Sequence, residues 1–249
     1  MKYLFIMLVL SSSIITAQWQ DAISGNTVLD SLHQELSQFD TIEVLGPFEI
    51  TLKKGNRHNS TIVGESNIIP HIKFDVNRNK LVLHTHNNKG LYSKTENPIQ
   101  ITVTAKELSK IYVVGSGKIS SSNSLFSKHL LLELIGSGVM QFPVESKTVS
   151  THITGSGHIY LKGRCKTIKG KIIGSGHLHS DELQSENSFL RLTGSGQVNI
   201  NYSDKLKAMI DGTADFVYKG EPKCVEISTW QGGEKYTFSD RRLTVETNQ

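Results

Sequence analysis

The sequence contains no apolar run long enough to cross a membrane as a helix, and no large excess of charge of either sign. Its longest apolar run, residues 3–10, is far shorter than the roughly 20 residues of a transmembrane helix. The formal net charge is +4, with acidic and basic residues interspersed, and this pattern does not indicate nucleic-acid binding. We therefore expect neither a transmembrane segment nor a nucleic-acid partner.

Residues 1–17, MKYLFIMLVLSSSIITA, have the pattern of a secretory signal peptide. Lys2 precedes the apolar run, and small and polar residues lead to Ala17, after which we expect cleavage. No cysteine lies nearby, so a lipid-anchored lipoprotein is not expected. These features predict export to the periplasm, the outer surface or the medium.

A Gly-Ser-Gly tripeptide recurs through the second half of the chain. Successive copies begin 18–21 residues apart, a period that is typical of stacked structural repeats. The copies are residues 115–117, 136–138, 155–157, 174–176 and 194–196, followed by the degenerate copies Gly212-Thr213-Ala214 and Gly232-Gly233.

Apolar residues flank every copy at fixed distances. Two positions before the first glycine stand Val113, Leu134, Ile153, Ile172, Leu192, Ile210 and Trp230, and four positions after it stand Ile119, Met140, Ile159, Leu178, Val198, Phe216 and Tyr236. Because these two columns are an even number of residues apart, the alternation of a β-strand continues through the tripeptide. Both glycines then point inward, where the missing side chain lets backbones approach closely or lets the strand bend, and the serine points outward.

One repeat of about 20 residues buries too few apolar side chains to offset the entropy lost on ordering it, so the repeats must stack. In-phase apolar columns on successive coils are best satisfied by an all-β, right-handed parallel β-helix. The alternative is a β-sandwich or β-prism in which each repeat is a hairpin with Gly-Ser-Gly at its tip.

The first half of the chain has strand signals but no Gly-Ser-Gly. Alternating apolar residues and intervening turn signals predict strands at 41–45, 48–52, 61–63, 72–76, 81–84 and 99–104. We expect residues 38–106 to form opening coils or a cap, 107–240 to form the repeats and 241–249 to form a tail. Residues 18–37 are expected to form an N-terminal arm or a short helix.

Several motifs occur together in the order found in a known family. They are Gly46-Pro47-Phe48-Glu49-Ile50, Val63-Gly64-Glu65-Ser66-Asn67, Lys80-Leu81-Val82-Leu83, the Gly-Ser-Gly series and Phe216-Val217-Tyr218-Lys219-Gly220-Glu221-Pro222. Over residues 38–240 the chain resembles the putative auto-transporter adhesin head GIN domain family (DUF2807), secreted or cell-envelope proteins common in Bacteroidetes. The resemblance implies a β-helical protein exposed in the cell envelope, and it carries over no catalytic residues.

Cysteine is scarce, with only Cys165 and Cys224 in the whole sequence. They are about three coils apart, which corresponds to roughly 14 Å at ~4.8 Å per coil. A disulfide needs Cα atoms within about 7 Å. We therefore predict two free thiols, although an exported protein could hold a disulfide.

Histidines gather on the outward columns of the repeats. His158 and His177 occupy the same position of successive coils and would lie about 4.8 Å apart in paired parallel strands. His152 and His179 are expected on the same face. Two imidazoles could share a zinc or copper ion, but the sequence prescribes no third ligand, so neither a metal nor another cofactor is expected.

Catalytic arrangements are not indicated. The outward serines recur with varying neighbours, so no base and acid are fixed beside one nucleophile. Glu133, Lys171 and Arg191 share an outward column, but the columns do not place two carboxylates on adjacent coils, as glycoside hydrolysis requires. We expect a non-enzymatic protein; the alternatives are a carbohydrate-active enzyme and a purely structural envelope protein.

The outward residues around the tripeptides are the candidate binding surface. They combine hydroxyl groups, planar rings and amides, which suit sugars or polar peptides. The candidate residues are His152, Ser156, His158, Tyr160, Ser175, His177, His179, Gln197 and Asn199. Because contacts from successive coils add up along such a face, we expect an adhesin-like module that binds a glycan or another cell-surface macromolecule.

Overall fold

The computed structural model describes residues 22–95, 99–201, 204–219, 223–231, 234–239 and 242–246. These residues form β-strands and two short 3-10 helices, Ile69–His71 and His86–Asn88. The predicted signal peptide lies outside the described residues. The strands are β1 Ile23–Ser24, β2 Leu29–Glu35, β3 Thr41–Leu45, β4 Glu49–Lys54, β5 Asn59–Glu65, β6 Ile72–Asn77, β7 Lys80–Thr85, β8 Leu91–Tyr92, β9 Gln100–Ala105, β10 Lys110–Gly115, β11 Lys118–Ser121, β12 Leu125–Gly136, β13 Val139–Gly155, β14 His158–Gly174, β15 His177–Gly194, β16 Gln197–Ile200, β17 Lys205–Gly212, β18 Asp215–Tyr218, β19 Cys224–Gln231, β20 Glu234–Ser239 and β21 Arg242–Glu246.

The Gly-Ser-Gly repeats stack as a parallel β-helix of about six turns. Leu134 of β12 pairs in parallel with Ile153 of β13, which pairs with Ile172 of β14, and the ladder continues to Leu192 of β15. The predicted fold class is confirmed. The alternative of hairpin repeats is wrong, because hairpins would pair the repeats antiparallel.

Each Gly-Ser-Gly forms a corner between two strand segments. At Gly155 the backbone has φ +112°, a conformation that residues with side chains rarely adopt, and a Cβ atom there would lie 2.6 Å from the Gly136 carbonyl oxygen. A Cβ atom on Gly157 would lie 2.5 Å from Cδ2 of Leu134 in the core. The first glycine thus permits the bend and the approach of backbones, and the second leaves room for the interior.

The two apolar columns beside the corners form the interior of the helix. Ile153, Ile172, Ile159 and Leu178 are all at most 1% exposed, and the intervening residues point outward. The alternation predicted for a strand that passes through each corner is therefore present. Phe216 is only partly buried. Trp230 is 37% exposed because β19 pairs it with the outward Asp211 and places Thr229 opposite the buried Ile210.

The C-terminal end is an antiparallel addition to the helix. β19 still pairs in parallel with β17, but β20 turns back on β19 with Gln231 opposite Glu234, and β21 turns back on β20. Gly232-Gly233 lies outside the described residues, but the strands on either side of it pair antiparallel. The sequence analysis aligned it as a further corner, and that prediction is wrong because the parallel stacking ends at β19. The predicted tail, residues 241–249, contains β21.

The N-terminal strands begin the helix and extend its sheet with antiparallel strands. β3 pairs in parallel with β10 and β7, and β4 pairs in parallel with β11 and β9. Beyond them β6, β5 and β2 add antiparallel strands. Gly46, with φ +122°, donates its N–H to the Val114 carbonyl at 3.1 Å. The ladder of corners therefore begins at Gly46-Pro47, one coil before the first Gly-Ser-Gly.

The segment predicted as an arm or short helix forms strand β2. Leu29 of β2 lies opposite Glu65 of β5 in an antiparallel pair. The spacing of Leu29 and Leu32 resembles that of a helix, but both side chains are more than 40% exposed. The buried Glu65 carboxylate accepts hydrogen bonds from the backbone N–H groups of Thr27 (2.8 Å) and Lys94 (3.1 Å). Pairing with β5 therefore determines the structure of this segment, because it outweighs the weak helical pattern of the local sequence.

The two cysteines are free thiols, as predicted. Cys165 of β14 pairs with Ser185 of β15, whereas Cys224 lies on β19, three strands away in the stack. Cys165 is buried, and burial raises the pKa of its thiol to about 12. Cys224 is exposed. The two thiols therefore differ in reactivity, since the thiolate is the nucleophile.

Substitution of the corner glycines tests the stacking. Gly157→Ala should lower the free energy of unfolding by about 1–3 kcal/mol, because the added methyl group displaces Leu134 or the adjoining carbonyl. Gly155→Ala should destabilise at least as much, since it also places a side chain at a positive φ. Urea unfolding measures both effects, and the exposed Ser156→Ala serves as the control. Equal effects at all three positions would contradict the assignment.

Thiol labelling tests the burial of Cys165. Iodoacetamide should add one group to the folded protein, at Cys224, and two groups to the protein unfolded in urea, as read by intact mass. Two additions under native conditions, or none after unfolding, would be inconsistent with one buried and one exposed free thiol.

Candidate functional site

The strand segments that follow the corners present two outward columns, which we call the downstream face. Between the columns lie the buried Ile159 and Leu178, so the columns are held on the same side of one sheet. The first column is Lys118, Val139, His158, His177, Gln197 and Asp215, and the second is Ser120, Gln141, Tyr160, His179, Asn199 and Val217.

The corners fix the spacing of this face. The His158 N–H donates to the Gly138 carbonyl at 3.0 Å, and the His177 N–H donates to the Gly157 carbonyl at 2.9 Å. Each outward residue is therefore set one strand spacing from its counterpart on the next coil. His158 pairs directly with His177, and Tyr160 pairs with His179.

Four rings meet at the centre of the downstream face, and we call His158, Tyr160, His177 and His179 the ring cluster. Tyr160 stacks on His179 with centroids 4.3 Å apart and planes 4° from parallel. His158 and His177 lie 4.7 Å apart with planes tilted by 47°. Because Tyr160 and His179 cover a face of each other, their edges, with the hydroxyl and the ring nitrogens, are available to a ligand.

The three imidazoles of the cluster converge through their nitrogen atoms. His158 Nδ1 lies 3.4 Å from His179 Nε2, although the ring centroids are 5.7 Å apart, so the rings meet at their edges. One nitrogen from each of His158, His177 and His179 lies within 4.8 Å of the other two. The strand alternation thus places His179 beside the other two imidazoles, on the face where the sequence analysis expected it. The sequence analysis did not identify it as a possible third nitrogen ligand.

Partial burial and the neighbouring imidazoles favour the neutral forms of His158 and His179. Burial lowers the pKa of His158, and the neighbouring His177 lowers it further. Burial also lowers the pKa of His179, as do His158 and His177, whereas Asp181 opposes the shift. A neutral imidazole has one nitrogen with a free lone pair, so His158 and His179 can each accept a hydrogen bond or ligate a metal near neutral pH.

The structure separates His152 from the other predicted histidines. His152 lies on β13 before the Gly155–Gly157 corner, where it pairs with Glu133 and Lys171, and the ring cluster lies after the corner. The prediction that His152 shares their face is therefore wrong, because the chain bends at the positive φ of Gly155.

The remaining predicted residues surround the ring cluster. Gln197 pairs with His177, and Asn199 pairs with His179, so both amides lie on the downstream face. Ser156 and Ser175 are exposed at the corners beside it. The Ser175 hydroxyl lies 3.1 Å from the Ser195 hydroxyl, so the outward serines of these two corners are neighbours on the surface.

Asp181 is a charged neighbour of the cluster that sequence analysis missed. Tyr160 pairs with His179, but Lys162 pairs with Glu182, so β15 contains one extra residue between these pairs. This bulge places the Asp181 carboxylate close enough to influence His179. The signal was present in the repeat lengths, since the coil that begins at Gly174 is one residue longer than the coil that begins at Gly155.

The column before the corners carries mixed charges. Glu133, His152, Lys171 and Arg191 follow one another in register on β12 to β15. Glu133 therefore has His152 and Tyr112 as its neighbours in the column, not a second carboxylate. This arrangement does not supply the acid pair of a glycoside hydrolase.

In the part of the chain that the structure describes, no helix has the length and apolar character needed to span a bilayer. No curated protein matches the sequence.

Solved structures of three bacterial proteins share the fold. The crystal structure of a putative adhesin from Bacteroides fragilis has a TM-score of 0.69 and 19% identity, over 84% of this chain and 100% of that chain. A putative lipid binding protein from Parabacteroides distasonis has a TM-score of 0.66 and 20% identity, and a putative adhesin from Parabacteroides merdae has 0.64 and 19%; both similarities cover 84% of this chain and 95% of the other.

The family described as putative auto-transporter adhesin, head GIN domain, matches residues 38–222. This match spans most of the parallel β-helix and all of the ring cluster. The chain therefore belongs to the putative auto-transporter adhesin head GIN domain family.

Proposed function

We propose that the protein is exported and acts without catalysis, as an adhesin-like module that binds a glycan along the downstream face. The observation that carries the proposal is the ring cluster, four rings in two adjacent coils with amides on both flanks. Ring edges, amides and hydroxyl groups offer the donors and acceptors that a sugar polymer requires.

The shape of the face supports an extended ligand. In the second column Gln141, Tyr160, His179 and Asn199 follow one another in register, at steps of about 4.8 Å. Gln141 and Asn199 therefore lie on opposite sides of the ring cluster. One weak contact per coil becomes useful when a polymer meets several coils at once. The family and two of the structural neighbours are described as putative adhesins, which is in keeping with such a role.

Export is supported by the N-terminal sequence and by the family. Residues 1–17 have the order of charge, apolar core and small residues that a signal peptidase recognises. An adhesin must reach the envelope or the cell surface to meet its partner. Protease treatment of intact cells distinguishes a surface position from a periplasmic one.

A lipid is the second candidate ligand, because one structural neighbour is described as a putative lipid binding protein. Away from the ring cluster, a groove beside the first corner is lined by apolar residues that include Pro47, Leu91, Ile99 and Val114. Displacement of a fluorescent fatty acid would favour this candidate. Leu91→Lys should then abolish lipid binding and leave glycan binding intact.

Replacement of Tyr160, His158 and His177 by alanine tests the glycan proposal. Retention on a glycan array should fall by at least about tenfold, since central aromatic contacts dominate binding energies. The melting temperature should change little, because Tyr160 is exposed and His158 and His177 are only partly buried. A reducing-sugar assay on the same polysaccharides should detect no release by the unaltered protein.

The matched control replaces three residues of the column before the corners, Glu133, His152 and Lys171, by alanine. This variant should retain glycan binding. If the variant with alanine at positions 158, 160 and 177 is folded and binds glycan as before, the binding site does not lie on the downstream face. Sugar release with turnover by the unaltered protein would show that it is an enzyme.

A further inference from the structure

We propose that His158, His177 and His179 form a binding site for one divalent transition-metal ion of the Zn²⁺ class, with a position left open for water. The proposal concerns the three side chains themselves and does not depend on whether the downstream face binds a glycan. Neutral imidazole nitrogens are suitable ligands for such ions.

The backbone already places the three ligands around one point. His177 and His179 are two residues apart on β15, so their side chains point to the same side of the strand. His158 is directly opposite His177 on β14. The main-chain hydrogen bonds at the corners hold both strands in this register, so the metal need not reorder the backbone.

The nitrogen separations fit a metal ion. In a tetrahedral site with Zn–N distances of 2.0–2.1 Å, two ligand nitrogens lie roughly 3.3 Å apart. His158 Nδ1 and His179 Nε2 are 3.4 Å apart. All three ligand nitrogens lie within 4.8 Å of one another, so small rotations of the side chains bring the third nitrogen to the ion. Three imidazoles leave the fourth tetrahedral position to water.

The surroundings support a cation. Tyr160 stacks on His179 and restrains its ring, as outer groups do for ligands in known metal sites. The residues in register on either side of the ligands, Val139 and Gln197, carry no charge. Asp181 is a nearby anionic group that lowers the cost of a cation here, and it is also paired with Lys219 at 4.0 Å. Lys118, one coil beyond Val139, is paired with Glu49 at 3.1 Å.

Zinc titration of the untagged, metal-stripped mature protein by calorimetry tests the proposal. We expect one ion per chain, and we expect Co²⁺ in its place to give the visible absorption of a four-coordinate site. His158→Ala, His177→Ala and His179→Ala should each weaken zinc binding by at least about 100-fold, the upper range for loss of groups that only support a ligand.

His152→Ala is the matched control, because it removes an exposed histidine from the other side of the corner. It should leave the zinc affinity unchanged, and Tyr160→Phe should change it little because the ring stack persists. Circular dichroism of each variant confirms folding. The proposal is overturned if the protein does not bind zinc at one ion per chain. It is also overturned if His152→Ala weakens zinc binding as much as His179→Ala does.

Discussion

The structure depends on the close approach of successive backbones at the Gly-Ser-Gly corners. Each corner donates an N–H to a carbonyl of the preceding corner, as Ser156 does to Gly136 at 3.0 Å and Ser175 to Gly155 at 3.0 Å. A side chain on the first glycine would occupy the space of the carbonyl below it. The missing Cβ atoms therefore allow the coils to stack at strand spacing, and the ladder fixes the register of everything between the corners.

A fixed register turns sequence period into spatial proximity. Residues 19 positions apart, such as His158 and His177, become direct neighbours, and the interior receives an apolar side chain from every coil at the same place. Both ends of the stack are then extended by antiparallel strands, β6, β5 and β2 at one end and β20 and β21 at the other. The parallel coils therefore end on antiparallel strands and not on a further parallel coil.

Much of this architecture could be predicted because the same spacing of glycine and apolar residues occurs in all five Gly-Ser-Gly repeats. The columns of Ile153 and Ile159, and the pairing of His158 with His177, follow from the period alone. The period does not report the direction in which the chain bends at Gly155, so His152 was placed on the wrong face. The extra residue that positions Asp181 breaks the period and changes only one coil.

The strands at the two ends of the chain could not be predicted from the repeat period, for a different physical reason. Leu29 and Leu32 have a helix-like spacing, but the open edge of β5 offers hydrogen bonds along the whole segment, and pairing with it outweighs a weak local preference. Gly232-Gly233 resembles a corner in composition, yet two residues between strands also suit a hairpin. Local sequence cannot distinguish a further coil from a return strand when both use glycine.

The inward and outward columns of the helix obey different rules. Packing keeps the inward column two residues before each corner apolar on every coil, from Val113 to Ile210. No such requirement acts on the downstream face, where lysine, valine, histidine, glutamine and aspartate occupy one column. Three imidazoles and a tyrosine concentrated on two adjacent coils are therefore not a consequence of the fold, and their role must be sought in what the face contacts.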